Sequence, residues 1–461
     1  MKTSFLLLAA VLTSVCTTAQ VHKEYPAGVF PDRVVLGWKD NKAATTQSVS
    51  WRTDTTVATG IGMITEANPT PDLAATSLSV NAQTEKVLLE GRGAHSHTVH
   101  FSGLKPGTLY SYRVGDGSHW SEWFQFRTAQ ESPAPFSFLY FGDAQIEIRS
   151  LWSRTIRGAY STMPKADLLI HAGDLITTAN ADWQWGEWFE ASGWINGVIP
   201  VLATPGNHEY FKGENGKRRI TPHWRPSFVL PENGPAGMEE RAYFLDYQGV
   251  RFISLDSEGA LQDKEVMAKQ SAWLEGVLKN NPSKWTIIVQ HHPVYSTKNG
   301  RDNEDWRAEM EPIFKKYKVD LVLQGHDHTY ARGINMPVGM SRKNPDGPVY
   351  VVSVSGGKMY DIGLQDWMDR AASNTQLYQT VEIDGQNLSY QSYTVTGQLY
   401  DSFRLTKSTS GKNTLTDLAP KLMPELLDLP PDYQRRYKPE QKEEYQNRFE
   451  AYKKRKATRK K

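Results

Sequence analysis

The sequence predicts a multidomain α+β protein, with an N-terminal β-sandwich followed by a domain in which helices cover a sheet. Three observations carry that expectation. From about Pro31 to Thr128, short runs of alternating apolar and polar residues are broken by turn residues, the pattern of a sandwich. After Ala129-Gln130-Glu131-Ser132-Pro133 the texture changes to apolar strand runs separated by helical stretches, which points to helices packed on a sheet. Several of those strand runs end in a turn that presents Asp, Asn or His. The 461 residues suit two to three domains at roughly 150 residues each.

Composition narrows the class. Aromatics at 11% and charged residues at 23% exclude a mostly disordered chain. The single cysteine can form neither an internal disulfide nor a Cys-rich zinc module. A formal charge of +2 argues against a specific nucleic-acid binder, although an average can hide opposite halves.

In the sandwich region, Val34 to Trp38, Gln47 to Trp51 and Trp123 to Phe126 read as strands. Leu104-Lys105-Pro106-Gly107-Thr108-Leu109-Tyr110 resembles the tyrosine-corner segment of fibronectin type III domains. His95, His97 and His100 precede that segment with no carboxylate beside them, so a solvated strand face is expected there rather than a metal site. Beyond the linker, strands are expected at Phe136 to Phe141, Asp167 to Ala172, Val198 to Thr204, Arg251 to Leu255, Trp285 to Gln290, Val319 to Gln324 and Val349 to Val354. Helices are expected at Leu151 to Met163, Ala181 to Trp194, Gln270 to Lys279 and Asn303 to Tyr317, and the strands Tyr378 to Ile383 and Ser389 to Val395 should close the edge of the sheet.

The ends of the chain differ from its body. Met1 to Ala19 has Lys2 as its charged region, a short apolar run from Phe5 to Leu12, and small residues Thr17 and Ala19 at a cleavage site, the form of a secretory signal peptide. Cleavage after Ala19 would remove Cys16, so a secreted or periplasmic protein of a bacterial envelope is expected. A lipoprotein reading of Cys16 fits less well, because Val15 before it is not small. Lys453 to Lys461 carries seven basic residues; setting these and Lys2 aside leaves 45 basic against 51 acidic, a body of about −6. Tyr445, Phe449 and Tyr452 recur at the spacing of a short amphipathic helix. The tail is expected to be a docking helix with a solvated charge run, and contact with a polyanion or outer surface is the alternative. The boundaries expected are 1–19 for the signal, 27–130 for the sandwich, 134–405 for the larger domain and 408–461 for the charged tail.

In open α/β sheets, ligands bind beyond the carboxyl ends of strands. There the chain reads Gly142-Asp143-Ala144-Gln145, Gly173-Asp174-Leu175, Gly206-Asn207-His208-Glu209, His291-His292-Pro293 and Gly325-His326-Asp327-His328. Glycine lets the backbone bend sharply before a projecting side chain. Carboxylate and amide oxygen with imidazole nitrogen suit hard or borderline divalent metals. Each motif is weak alone; their ordered occurrence after successive strands is not what turns and core histidines produce.

The whole resembles the metallophosphoesterase superfamily, whose fold is of the αββα type. The sandwich in front, Asn233-Gly234-Pro235 and Phe252-Ile253-Ser254-Leu255-Asp256-Ser257 look like purple acid phosphatases. Residue by residue, the resemblance implies that Asp143 and His328 bind one metal, Asp174 bridges two, and Asn207, His291 and His326 bind the second. It implies that His208 touches phosphate and protonates the leaving group, that His292 faces substrate, and that Tyr330 and Arg332 form the pocket rim. The alternative for that last pair is packing and an ion pair.

One departure bears on the metals. Three residues after the bridging aspartate, where the purple enzymes carry an iron-binding tyrosine, this chain has Thr177. Gln145, two after the first aspartate, could complete the first site through its amide oxygen. Two divalent ions, two carboxylates and a hydroxide leave about +1, which favours a monoester dianion. A divalent pair such as zinc, iron or manganese is therefore expected, with no tyrosinate-ferric colour. The implied activity is hydrolysis of phosphate monoesters by metal-activated water. The rivals are a phosphodiesterase or nucleotidase on the same centre, and a non-catalytic envelope binding protein. Neither a Gly-x-Ser-x-Gly elbow nor a phosphate-binding Gly-x-x-x-x-Gly-Lys-Ser/Thr loop occurs, and Lys212 four residues after His208 breaks a zincin motif.

Overall fold

The computed structural model describes residues 22–459 except 215, 336–341, 344 and 346; the expected signal segment Met1 to Ala19 lies outside the described residues. No helix among those described is long and apolar enough to cross a membrane.

The N-terminal region forms two antiparallel four-stranded sheets. One contains Asp32–Gly37, Thr46–Thr53, Arg92–Ser102 and Gln83–Leu89; the other contains Leu78–Asn81, Ile61–Glu66, Leu109–Gly115 and Phe124–Arg127. Alternation sends Leu36, Val49, Trp51, Val99, Phe101, Tyr112 and Val114 into the shared core. Fully burying such a side chain stabilises by roughly 1.5–3 kcal/mol. The Tyr110 hydroxyl accepts from the Lys105 amide at 2.9 Å, the corner that the sequence resembles. His97 departs from the expected solvated face: it is buried between Thr53 (2.7 Å) and Thr84 (2.9 Å).

The larger domain stacks two seven-stranded sheets. The first runs Val201–Ala203, Leu168–His171, Phe136–Phe141, Leu377–Asp384, Asn387–Thr394, Leu399–Lys407 and Asn413–Asp417. The second runs Tyr243–Tyr247, Val250–Leu255, Trp285–Gln290, Leu321–Gln324, Val349–Val352, Tyr330–Gly333 and Met368–Ala372. Phe138, Tyr140, Phe252, Ile287, Leu323 and Val381 fill one core that includes both sheets. Helices Ser153–Thr162 and Asp182–Ser192 bring Ile156 and Trp185 to that core. On the far face of the second sheet, helices Lys264–Lys279 and Glu304–Lys316 bury Leu274, Met310 and Phe314 beside Ile253 and Ile288. The architecture is helix, sheet, sheet, helix.

Two expectations are corrected. Leu377–Asp384 does not close an edge; it pairs antiparallel with the central strand Phe136–Phe141. The sheet also continues past 405 and 408 through Leu399–Lys407 and Asn413–Asp417. That last strand hides only Leu415 among polar neighbours, which leaves little pattern to read.

The C-terminal helix Pro439–Arg459 docks as its spacing suggests. Tyr445 and Tyr452 are buried and Phe449 half-buried against the core of the second sheet. The basic end is less free than its composition implies, since Arg455 pairs with Asp366 at 2.6 Å and Lys456 with Glu425 at 2.9 Å. Arg448 grips the buried Asp361 carboxylate through contacts of 2.7 and 2.8 Å. Replacing Arg448 by alanine is expected to cost about 1–3 kcal/mol, because Asp361 loses its cation but keeps neutral donors. A lowered thermal midpoint checks this; an unchanged midpoint contradicts it.

Candidate metal centre

The five turns singled out in the sequence meet at one end of the sheets. Their glycines are required by close approach: a β-carbon on Gly206 would stand 2.3 Å from an Asp174 carboxylate oxygen, and one on Gly325 2.3 Å from an Asp143 oxygen. Three of the projecting residues adopt left-handed backbone, Asp174 (φ 53°), His326 (φ 73°) and His328 (φ 44°). Such conformations are costly for residues with a side chain and gather at functional sites.

Two groups of potential ligand atoms result, each within 4.8 Å: Asp174 with His291 and His326, and Asp143 with Asp174 and His328. Asp174 belongs to both. Its Oδ2 lies 3.2 Å from His291 Nε2. His291 Nε2 is 3.1 Å from both Asn207 Oδ1 and His326 Nδ1. On the other side His328 Nε2 is 3.1 Å from Asp143 Oδ2. Gln145 points inward, its Nε2 2.8 Å from Asp174 Oδ2 and 3.0 Å from His328 Nε2.

The hydrogen bonds around these residues fix which nitrogen faces the centre. His291 Nδ1 donates to the Ala172 carbonyl at 2.8 Å, and His328 Nδ1 to the Lys358 carbonyl at 3.1 Å. In the neutral ring each leaves Nε2 with a lone pair for a metal, as metal-ligating histidines require; against its burial, the Asp174 carboxylate pushes His291 up to about 10, so on that ring a cation would have to displace a proton. Burial, and then neighbouring positive groups, holds His326 and His328 neutral, well below the usual imidazole range. Burial, and less strongly the Asp174 carboxylate, pushes Asp143 up to about 8. Asp174 is held low against its burial by His291 and then His208. Two buried carboxylates side by side demand compensating positive charge.

The residues fit a pair of cations. Asp143 Oδ2 and Gln145 Oε1 are buried without a hydrogen-bond partner, and buried polar atoms rarely stay so. The donor set of carboxylate, amide and imidazole matches borderline divalent ions.

His208 stands at the rim. Its amide donates to Asp174 Oδ1 at 2.8 Å, its Nδ1 contacts the Thr177 carbonyl, and its Nε2 lies 4.0 Å from Asp174 Oδ2. Thr177 thus positions His208 through its backbone, and its hydroxyl accepts from the Ile146 amide. His292 is buried beside His326, ring centres 4.2 Å apart, with Nδ1 2.9 Å from Ser257 Oγ and Nε2 3.6 Å from Glu258. Glu258 also pairs with Arg218 at 3.0 Å.

Tyr330 and Arg332 are not rim residues. Both are fully buried, and both bind Asp401, at 2.6 Å and 2.8 Å; Arg332 also reaches Asp417 at 3.0 Å. They follow the histidine turn directly, but the chain has already re-entered the sheet at Tyr330, and alternation turns both side chains inward. The packing and ion-pair alternative holds.

Sequence reading gave no role to Glu209, which it met at the end of the Gly206-Asn207-His208-Glu209 turn and in a broken zincin motif. Its buried carboxylate accepts from the amides of Asp174 (2.9 Å), Leu175 (2.8 Å) and Gly206 (2.6 Å), stitching the bridging turn to the Asn207 turn. Replacing Glu209 by glutamine keeps the shape but removes an acceptor. Metal affinity is expected to fall about 10- to 100-fold, measurable by competition with a chelating dye; unaltered affinity contradicts the role. Asp327 was also missed: it accepts from the amides of Thr297 (2.5 Å) and Lys298 (3.2 Å) and from Arg301 (2.7 Å).

Comparison with known proteins agrees with this geometry. Residues 137–330 match the calcineurin-like phosphoesterase family, and residues 31–128 match the purple acid phosphatase N-terminal domain. Purple acid phosphatase 21 of Arabidopsis thaliana is 27% identical over 275 residues, covering 58% of this chain and 60% of that protein. Probable purple acid phosphatase 20 of the same plant is 30% identical over 283 residues, covering 59% and 63%. The chain thus spans under two thirds of the length of these two relatives. The purple acid phosphatase PPD1 from yellow lupin (Lupinus luteus) shares the fold with a TM-score of 0.70 at 19% identity, over 83% of this chain and 75% of that one. Residues 137–330 are therefore a calcineurin-like phosphoesterase domain, with a purple acid phosphatase N-terminal domain at residues 31–128 in front of it.

Proposed function

We propose that the protein is an exported, metal-dependent phosphatase that hydrolyses phosphate monoesters at a dinuclear centre. The observation that carries this reading is the one carboxylate, Asp174, shared by two otherwise separate ligand groups. Asp143, Gln145 and His328 would hold one ion, Asn207, His291 and His326 the other, and Asp174 both. When bound, two divalent ions supply Lewis-acid stabilisation of phosphoryl and leaving oxygens and activate water near neutral pH.

The protein's own groups do the rest. His208, whose Nδ1–H donates to the Thr177 carbonyl, leaves Nε2 as the second nitrogen, from which the imidazolium form would give its proton to a leaving oxygen and become the neutral ring. Gln145 offers Oε1 to the centre when its amide turns over, and its partnerless oxygen supports that role. His292, kept neutral by burial and then by His291, is ordered by Ser257 and Glu258 on the substrate side of His326. Zinc, iron or manganese fit the donors. Thr177 places no phenolate at the centre, so no tyrosinate-ferric colour is proposed. Export rests on the Met1 to Ala19 segment.

Parallel assays on a chromogenic monoester and diester test the reading. A dominant monoester rate is expected. A dominant diester rate overturns it in favour of a phosphodiesterase, and no hydrolysis by metal-loaded protein from acid to alkaline pH favours a binding protein.

A further inference from the structure

Beside the centre stand three cationic side chains to which the proposed hydrolysis gives no role. Two loops, around Thr297 to Arg301 and Gly357 to Leu364, run side by side. They are joined by a bridge between Lys298 and Ile362, by the Gly363 amide on the Thr297 carbonyl (2.7 Å) and by the Asn299 amide on the Asp361 carbonyl (2.9 Å). Between them the ring of Tyr360 packs edge-on against His328, centres 4.6 Å apart. Around that ring stand Lys298 Nζ at 4.4 Å, Lys358 Nζ at 5.3 Å and the Arg301 guanidinium at 5.5 Å.

Arg301 is paired with Asp327. Among the described residues, neither lysine has a carboxylate within 4.0 Å. Both are part-exposed. Three like charges on one ring repel, and cation–π contacts offset only part of that.

The wall is built rather than incidental. Asp327, between two candidate ligands, staples the first loop. Asp361 fixes the second, accepting from Asn299 (3.1 Å), Tyr437 (2.9 Å) and Arg448. The last two donors belong to the C-terminal segment, which lies beyond both family matches.

We infer that Lys298 and Lys358, arrayed on Tyr360 and braced by the C-terminal helix, form a subsite for a second phosphate on the alcohol portion of the substrate. Lysine ammonium groups bind phosphate as point charges and need no bidentate geometry. The inference rests on the phosphatase reading and deepens it: the preferred ester is a bisphosphate.

The test compares kcat/KM of the full-length, metal-loaded protein on 1,4-butanediol bisphosphate and on butyl phosphate. The wild type is expected to favour the bisphosphate by about tenfold or more, the worth of one good charge contact. In the Lys298→Gln, Lys358→Gln double variant that ratio collapses toward one, mainly through KM. The Lys298→Arg, Lys358→Arg variant keeps it, and a merely structural role would not separate these two variants. A wild type without preference, or a ratio unmoved in the glutamine variant, overturns the subsite and leaves the phosphatase reading standing. A wild type that hydrolyses neither ester overturns both.

Discussion

Replacing Asp174 by asparagine is expected to lower kcat/KM for a phosphate monoester by about 10³-fold or more, since metals supply several kcal/mol of transition-state stabilisation and 1.36 kcal/mol is tenfold. Among the described residues Asp174 alone is common to both ligand groups, so its charge would bear on both ions at once. Asparagine is nearly isosteric and tolerates the left-handed backbone (φ 53°) found there, so the fold should survive. The loss should therefore coincide with fewer than two metal ions per chain and a thermal midpoint, measured with chelator present, close to the wild type's. A variant that keeps both ions and near-native turnover would remove Asp174 from its bridging role.

The second large effect belongs to His208. Alanine at this position should lower kcat on alkyl phosphates by about 10²- to 10⁴-fold, the range of general acid catalysis. The loss should be much smaller on p-nitrophenyl phosphate, whose leaving group needs no proton. Metal content should not change, because the His208 ring belongs to neither ligand group, and the amide that binds Asp174 is backbone. Equal losses on both esters would show that His208 acts through binding or structure alone.

The strand ends were legible because glycine followed by Asp, Asn or His is a local signal, and the fold then gathers the turns at one end of two sheets. Gln145 shows the limit of that signal: its position two residues after Asp143 marks it, but the atom that reaches Asp174 and His328 is Nε2, not the amide oxygen expected at a metal. Tyr330 and Arg332 show where proximity in sequence misleads. The turn ends at Thr329, and one residue later the alternation of a buried strand decides the direction of the side chain. Glu209, Asp327 and Asp361 carry no motif of their own; their importance comes from amides and cations supplied by distant segments. The basic tail misleads through composition, because charge says nothing of partners such as Asp361 and Glu425 that lie on other elements.

The central claim is that two ions share this site through Asp174 and that hydrolysis depends on them. Elemental analysis of protein purified without chelator, with monoester turnover followed through metal removal and restoration, tests it most directly. The account predicts about two divalent ions per chain, with turnover lost on their removal and regained on their return. A chain that carries no stoichiometric metal yet hydrolyses the ester equally well with and without chelator would contradict it.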